Sequence, residues 1–143
     1  LVSAKVYDEK IDAMVFWAPV TGPVKDPRAR YTKEQLKELD ETGYITRIRD
    51  KGVRRKIIID KQMLEDRRNV NPETLLSHIK CPVLIIHGDK DNRVPLEDSK
   101  NAVRYLPEGS ELEIIAGADH GFYDQLNQFI AHSVSWYKKH LPV

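Results

Sequence analysis

An aspartate and a histidine in two short polar segments of this 143-residue chain could carry out acid–base chemistry together. Asp91 lies in the string GDKDNRVP at 88–95, and His120 lies in the string GADHGF at 117–122. A carboxylate that binds one imidazole nitrogen fixes the tautomer of the ring, so that the other nitrogen can act as a general base. We therefore expect these two side chains to form a hydrogen-bonded pair.

Both segments directly follow apolar runs that are typical of buried strands. The runs occupy 82–88 and 111–115, and a similar run at 11–19 precedes them. Helices are predicted at 95–106 and 125–140. This order favours an α/β fold with a mostly parallel sheet, in which the ligand site lies beyond the carboxyl ends of the strands. The predicted pair would lie at that edge.

The other polar residues of these segments are predicted to be structural, because one carboxylate is sufficient for such a pair. Asp89 and Asp119 are expected to shape loops or to face solvent. His87 ends a strand, and we expect it to hydrogen-bond locally. Cys81 precedes Pro82, and we expect it to be a small packed residue where the chain enters that strand.

The last predicted helix carries several apolar residues at helical spacing, and such a pattern indicates one face turned toward a core. We expect that inward face to consist of five residues: Leu126, Phe129, Ile130, Val134 and Tyr137.

The segment 23–71 differs in character from the rest of the chain, because it is net positive whereas the remainder is net negative. Thr32 and Gln35 form a capping box for a helix at 33–40. Two β-rich runs around 50–52 predict a hairpin, and Asp60 is expected to cap another short helix. Its basic hairpin could be a solvated face or a surface for an anionic substrate or partner. Its apolar side chains would face a pocket or the core: Tyr44, Ile48, Ile57, Met63 and Leu64.

The strings HGDKDNRVP at 87–95 and ADHGF at 118–122 resemble the acid and histidine motifs of α/β-hydrolases, especially serine esterases and the serine-peptidase-like group. The resemblance implies that Asp91 is the acid and His120 the base of a Ser-His-Asp triad, in the chain order of that superfamily. It also implies that the 143 residues form a single partial domain, the C-terminal part of the fold, with 23–71 as a short lid insertion.

Three further residues are candidates to line a substrate pocket. Trp17 and Pro19 end the first predicted strand near the expected site, and Phe122 follows His120 by two residues. The expected substrate is a small-molecule ester or acyl compound. Esterases, thioesterases and peptidases share the same triad, so the residues leave these three chemistries open.

The nucleophile motif of this superfamily, Gly-x-Ser-x-Gly, does not occur in the sequence. The string LVSA at 1–4 resembles the start of the helix that follows the nucleophile, so we expect the chain to begin a few residues after that serine. The oxyanion-hole donors would then lie upstream as well. We expect the C-terminal portion of a serine hydrolase that is inactive alone; the alternative is a non-catalytic, hydrolase-like binding or assembly module.

The composition argues against several other classes of protein. With 23 basic and 22 acidic residues, the chain lacks the charge signature of a nucleic-acid-binding protein. The glycine-rich motifs of nucleotide-binding domains are missing, and no cofactor is indicated. One cysteine can form neither an internal disulfide nor a zinc site by itself. Because no membrane span or signal peptide is evident, a cytoplasmic location is expected.

The first predicted strand has an edge that needs a partner. From Ala13 to Ala18 the sequence contains no charge, glycine or proline that would blunt an exposed edge. We therefore expect an upstream segment of the same protein, or a second copy of the chain, to cover this strand.

Overall fold

The computed structural model describes residues 11–22, 26–50 and 55–141. It divides the chain into two compact units, one formed by Leu1–Gly22 with Asn71–Val143 and the other by Pro23–Val70. In chain order the elements are β1 (Met14–Trp17), α1 (Lys33–Thr42), β2 (Tyr44–Ile48), β3 (Lys56–Asp60), α2 (Lys61–Asn69), α3 (Pro72–Ser77), β4 (Val83–Gly88), α4 (Leu96–Ala102, followed by a 3-10 turn at Val103–Tyr105), β5 (Glu111–Ile115) and α5 (Leu126–His140).

The first unit is built on a three-stranded parallel sheet with the order β1-β4-β5. Trp17 pairs with Ile86, and Gly88 at the end of β4 pairs with Ile115 at the end of β5. All six residues of β4 are buried, because this central strand is covered on both faces. The parallel sheet with flanking helices confirms the α/β architecture predicted from the sequence.

Alternate residues of β4 contribute to two hydrophobic cores, one on each face of the sheet. Val83 and Ile85 pack with Leu76 of α3 and Ala102 of α4, in a cluster that also holds Cys81. Burial raises the pKa of the Cys81 thiol, as expected for a packed cysteine. On the other face, Leu84 and Ile86 pack against α5. Each fully buried aliphatic side chain stabilises the fold by about 1.5–3 kcal/mol.

The face of α5 that packs on the sheet differs from the prediction. Phe129 and Trp136 are buried, and Ser133 lies between them at the spacing i, i+4, i+7. Four of the five predicted inward residues, namely Leu126, Ile130, Val134 and Tyr137, are 37–46% exposed. The prediction was therefore right for Phe129 and wrong for these four. The helix carries two apolar stripes, and periodicity alone does not determine which stripe faces the sheet.

The second unit has its own small core of Leu39, Ile45, Ile59 and Leu64. The capping box of Thr32 and Gln35 is present at the start of α1, and Gly43 ends the helix with φ +83°. The strands β2 and β3 pair antiparallel, as predicted for a hairpin, and the predicted turn lies partly outside the described residues.

In this unit the cap of α2 lies as predicted, whereas only part of the predicted apolar set is buried. The Asp60 side chain accepts the Met63 N–H, as predicted for the cap of α2. Of the apolar side chains assigned to a pocket or the core, Leu64 is buried and Ile57 packs against the core. The side chains of Tyr44, Ile48 and Met63 are exposed.

Candidate active site

Asp91 and His120 follow the carboxyl ends of two neighbouring strands. Asp91 comes three residues after the end of β4, and His120 comes five residues after the end of β5. Nδ1 of His120 lies 2.8 Å from Oδ2 of Asp91. The contact expected from the sequence is therefore present in the structure.

The backbone of the two loops brings these side chains together. The N–H of Asp89 donates to the Ile115 carbonyl at 3.2 Å, and the N–H of Lys90 donates to the Ala118 carbonyl at 3.0 Å. These bonds continue the pairing of β4 and β5 beyond the strand ends. The loop after β4 is thereby held against the loop that carries His120.

The Asp91 side chain is fully buried, and several donors satisfy its carboxylate. Oδ1 accepts the N–H groups of Arg93 at 2.8 Å and Val94 at 2.9 Å, while Oδ2 accepts from His120. Burial by itself would raise the pKa of Asp91, but the bonds from Val94, His120 and Arg93 outweigh burial and lower the pKa. The residue is therefore ionised at neutral pH.

The ring of His120 is oriented by this carboxylate. An ionised carboxylate can only accept, so Nδ1 of His120 carries the proton and donates it to Asp91. In the neutral ring, Nε2 is then the basic nitrogen. The side chain is 31% exposed, whereas that of its acidic partner is fully buried. The arrangement can therefore accept a proton at Nε2 and stabilise the charge that results.

The two remaining aspartates of the motifs shape the loops, in agreement with the structural roles predicted for them. Oδ1 of Asp89 accepts the N–H of Gly117 at 2.7 Å. Oδ1 of Asp119 accepts the N–H groups of Gly121 at 2.7 Å and Phe122 at 3.1 Å. Phe122 adopts a left-handed backbone conformation, with φ +57°, inside this turn. Asp119 thus stabilises the conformation that presents its neighbour His120.

A second histidine contacts the same acid, which the sequence analysis did not predict. His87 is completely buried, and its Nε2 lies 3.3 Å from Oδ2 of Asp91. The local hydrogen bonds expected for His87 are present, to Ser99 and to Val94. The signal available in the sequence was a polar residue within an otherwise apolar, fully buried strand, which is uncommon unless the residue is paired.

Aromatic rings extend from His120 toward the end of β1. The ring centroid of Phe122 lies 5.9 Å from that of His120 and 6.0 Å from that of Trp17. Both aromatic residues also contact Phe129, and the Trp17 indole N–H donates to the Ser133 hydroxyl at 2.9 Å. Trp17 is 37% exposed, and Pro19 is half-buried. A role of Trp17, Pro19 and Phe122 in substrate binding stays a prediction.

The described parts of the chain contain neither a membrane-spanning helix nor a metal-binding cluster. No helix there is long and apolar enough to cross a membrane. No group of three or more histidine, cysteine, aspartate or glutamate residues there is arranged to hold a metal ion.

The fold is similar to several solved hydrolase structures. Est1E from Butyrivibrio proteoclasticus, with ferulic acid bound, superposes with a TM-score of 0.74 at 20% identity, covering 99% of this chain and 54% of its own. The esterase domain of a Rhodothermus marinus protein superposes with a TM-score of 0.67 at 19% identity. This match covers 99% of this chain and 57% of the esterase chain. The α/β-hydrolase GrgF from Penicillium sp. sh18 superposes with a TM-score of 0.70 at 16% identity. This match covers 96% of this chain and 59% of GrgF.

These similarities show the fold, and the chain spans only about half to three-fifths of the length of each of these proteins. The sequence profile of the prolyl oligopeptidase family matches residues 21–143, which is most of the chain. The chain therefore belongs to the prolyl oligopeptidase family, within the α/β-hydrolase superfamily.

Proposed function

We propose that this chain is the C-terminal portion of a serine hydrolase that cleaves carboxylic esters. Asp91 and His120 are the acid and the base of its triad, and the serine comes from a segment of the same protein outside the 143 residues. The observation that carries the proposal is the 2.8 Å hydrogen bond between a buried, ionised carboxylate and a partly exposed imidazole at the carboxyl ends of parallel strands.

In the first half of the proposed reaction, Nε2 of His120 takes the proton of the serine hydroxyl while the serine oxygen forms a bond to the ester carbonyl carbon. Asp91 stabilises the imidazolium that results. The tetrahedral intermediate then breaks the bond to the alcohol oxygen, and Nε2 gives its proton to that leaving group. The acyl group stays on the serine.

In the second half, a water molecule replaces the alcohol. His120 takes one proton from this water molecule while the water oxygen attacks the acyl carbon. When the bond to serine breaks, the same proton returns to the serine oxygen and the carboxylic acid is released. Asp91 remains ionised throughout, since its role is to orient the ring and to balance its charge.

The aromatic residues beside His120 favour an apolar or aromatic group in the substrate. Trp17, Pro19 and Phe122 are the proposed lining, and Trp17 and Phe122 form a continuous aromatic surface from His120. Such surfaces bind apolar groups by removing them from water. The ferulic acid bound by Est1E, a related fold, is itself an aromatic acid, which agrees with this assignment.

The segment 23–71 is the proposed lid. In support of this role, it contains a separate compact unit with its own core, inserted between the first and second strands of the parallel sheet. A lid excludes water from the reacting groups and commits the substrate.

The test compares the 143-residue chain with the longer protein encoded by its parent reading frame. Hydrolysis of p-nitrophenyl acetate and p-nitrophenyl butyrate is measured for both forms. We expect activity only in the longer form. In that form His120→Ala should reduce turnover by several orders of magnitude, because no base remains to take the serine proton.

His132→Ala is the matched control. The His132 side chain is 39% exposed and lies 3.8 Å from Glu113, so its loss should leave turnover within about twofold of the wild-type value. An active longer form in which His120→Ala and His132→Ala behave alike would contradict the triad assignment. A folded longer form with no activity toward any ester would support the non-catalytic alternative.

A further inference from the structure

His87 is the one buried histidine among the described residues, and each of its ring nitrogens has a polar partner. Nδ1 lies 2.7 Å from the Ser99 hydroxyl oxygen, and Nε2 lies 3.1 Å from the Val94 carbonyl oxygen. A carbonyl oxygen can only accept a hydrogen bond. In either protonation state of the ring, Nε2 therefore carries a proton. In the neutral ring Nδ1 is the acceptor of the Ser99 hydroxyl proton.

The same Nε2–H is directed into the turn that holds the acid. Nε2 is 3.3 Å from Oδ2 of Asp91, the oxygen that also accepts from His120 at 2.8 Å. The N–H of Val94 donates to the other Asp91 oxygen at 2.9 Å, while the carbonyl of Val94 accepts from His87. His87 thus contacts the carboxylate directly and also holds the residue whose backbone binds that carboxylate.

We propose that His87 is a positioning residue for the acid, acting through Nε2, which donates to the Val94 carbonyl and lies 3.3 Å from Oδ2 of Asp91 beside His120. Asp91 is buried, and a buried carboxylate is oriented by the donors around it. With His87 in place, both oxygens are fixed, and Oδ2 points toward the ring of His120. Ser99 supports the arrangement by binding Nδ1, which keeps the His87 ring from turning over. His87 does not reach a substrate itself.

The catalytic meaning of this role rests on the proposed function, whereas the effect of His87 on the orientation of Asp91 can be tested without any substrate. The experiment uses protein labelled with ¹⁵N-histidine, in whichever form is monodisperse, the 143-residue chain or its longer parent. A proton shared between an imidazole and a carboxylate resonates far downfield in the ¹H spectrum. That resonance of His120 Nδ1–H reports whether Asp91 is correctly oriented, and its assignment is checked by its loss in His120→Gln.

Two polar variants separate the donor from the rest of the ring. Glutamine places an N–H group near the position of Nε2, whereas asparagine reaches only the position of Nδ1. We expect His87→Gln to keep the downfield resonance and His87→Asn to lose it. Ser99→Ala removes the hydroxyl but leaves Nε2–H. This variant should keep the resonance but broaden it, because the His87 ring can then move.

In an active longer form, His87→Asn should lower kcat by roughly tenfold to a hundredfold and leave KM unchanged. Losses of this size are typical when the hydrogen-bond partner of a metal-ligating residue is removed.

The proposal is overturned if His87→Asn keeps the resonance, or if His87→Gln folds and loses it. It is also overturned if long-range ¹H–¹⁵N spectra of the wild-type protein place a proton on Nδ1 alone, a result that does not depend on the folding of any variant. Normal NMR behaviour with no esterase activity would contradict the proposed function and leave the positioning role supported.

Discussion

Gly88 lies so close to Ala118 that a Cβ atom at this glycine would be 2.1 Å from the Ala118 carbonyl oxygen. The contact joins the end of β4 to the loop that carries His120. Real Cβ atoms do not approach backbone oxygens so closely, and backbone cannot rotate away as a side chain can. Only glycine therefore allows these two loops to meet at the distance that the Asp91–His120 pair requires.

Gly88→Ala should destabilise the chain by about 1–3 kcal/mol through overpacking, and it should lengthen the Asp91–His120 contact. Urea unfolding gives the first quantity, and the downfield resonance of His120 gives the second. Gly109→Ala is the control, because Gly109 has φ +82° with open space around it, so alanine there costs about 1 kcal/mol of backbone strain alone. Equal effects on the His120 resonance in the two variants would contradict the steric explanation.

Asp91→Asn should reduce the turnover of an active longer form by several orders of magnitude, because an amide no longer favours the correct tautomer of His120. Asp89→Asn should cost little, because the amide oxygen can still accept the Gly117 N–H. Steady-state kinetics on p-nitrophenyl butyrate measures both. If Asp89→Asn were the inactivating change and Asp91→Asn were mild, the assignment of the acid would be wrong.

The stability of the fold should depend on pH through two aspartates with opposite signs. Asp91 has a lowered pKa in the folded state, so its contribution is present above its unfolded pKa and is lost as pH falls through the folded pKa. Asp98 has a raised pKa, chiefly because of burial, so its contribution is present below its unfolded pKa and is lost as pH rises through the folded pKa.

Urea unfolding between acid and neutral pH measures both contributions. Relative to the wild type, Asp91→Asn should be most destabilised at neutral pH and less so in acid. Asp98→Asn should gain stability relative to the wild type as pH rises. Parallel curves for all three proteins would show that neither carboxyl controls the pH dependence.

Trp17→Ala should raise KM for p-nitrophenyl butyrate more than for p-nitrophenyl acetate, because a longer acyl chain has more apolar surface to lose from an aromatic wall. Tyr105→Ala is a matched control, since Tyr105 is 39% exposed and Trp17 is 37% exposed. A proportional change in KM for both esters would place Trp17 outside the acyl pocket.

The purified 143-residue chain should self-associate. Within the described residues β1 pairs only with β4, on one of its two edges, and the apolar stripe Leu126, Ile130, Val134 and Tyr137 of α5 is exposed. An unpaired strand edge and an exposed apolar stripe both promote association. Light scattering should show oligomers that Val134→Lys reduces without loss of helical signal. A monodisperse monomer with cooperative unfolding would refute this expectation.

Local features of the fold could be read from the sequence, because they depend on residues near one another in the chain. The capping box of Thr32 and Gln35 needs only its own first turn. The short, almost entirely apolar run of β4 is typical of a buried strand in a parallel sheet. The motif spacing placed Asp91 and His120 just after strand ends, and neighbouring parallel strands bring such ends together.

Other features depended on which surfaces meet, and the tertiary structure alone decided them. The stripe of α5 that contains Phe129 and Trp136 faces the sheet because the residues of β4 and β5 beneath it fit there, whereas the second stripe has the same periodicity. The contact of His87 with Asp91 depends on the turn that folds residues 91–94 back onto the end of β4. Hydrophobic pattern and capping act over a few residues, but the 2.8 Å bond between Asp91 and His120 is set by the register that pairs Gly88 with Ile115.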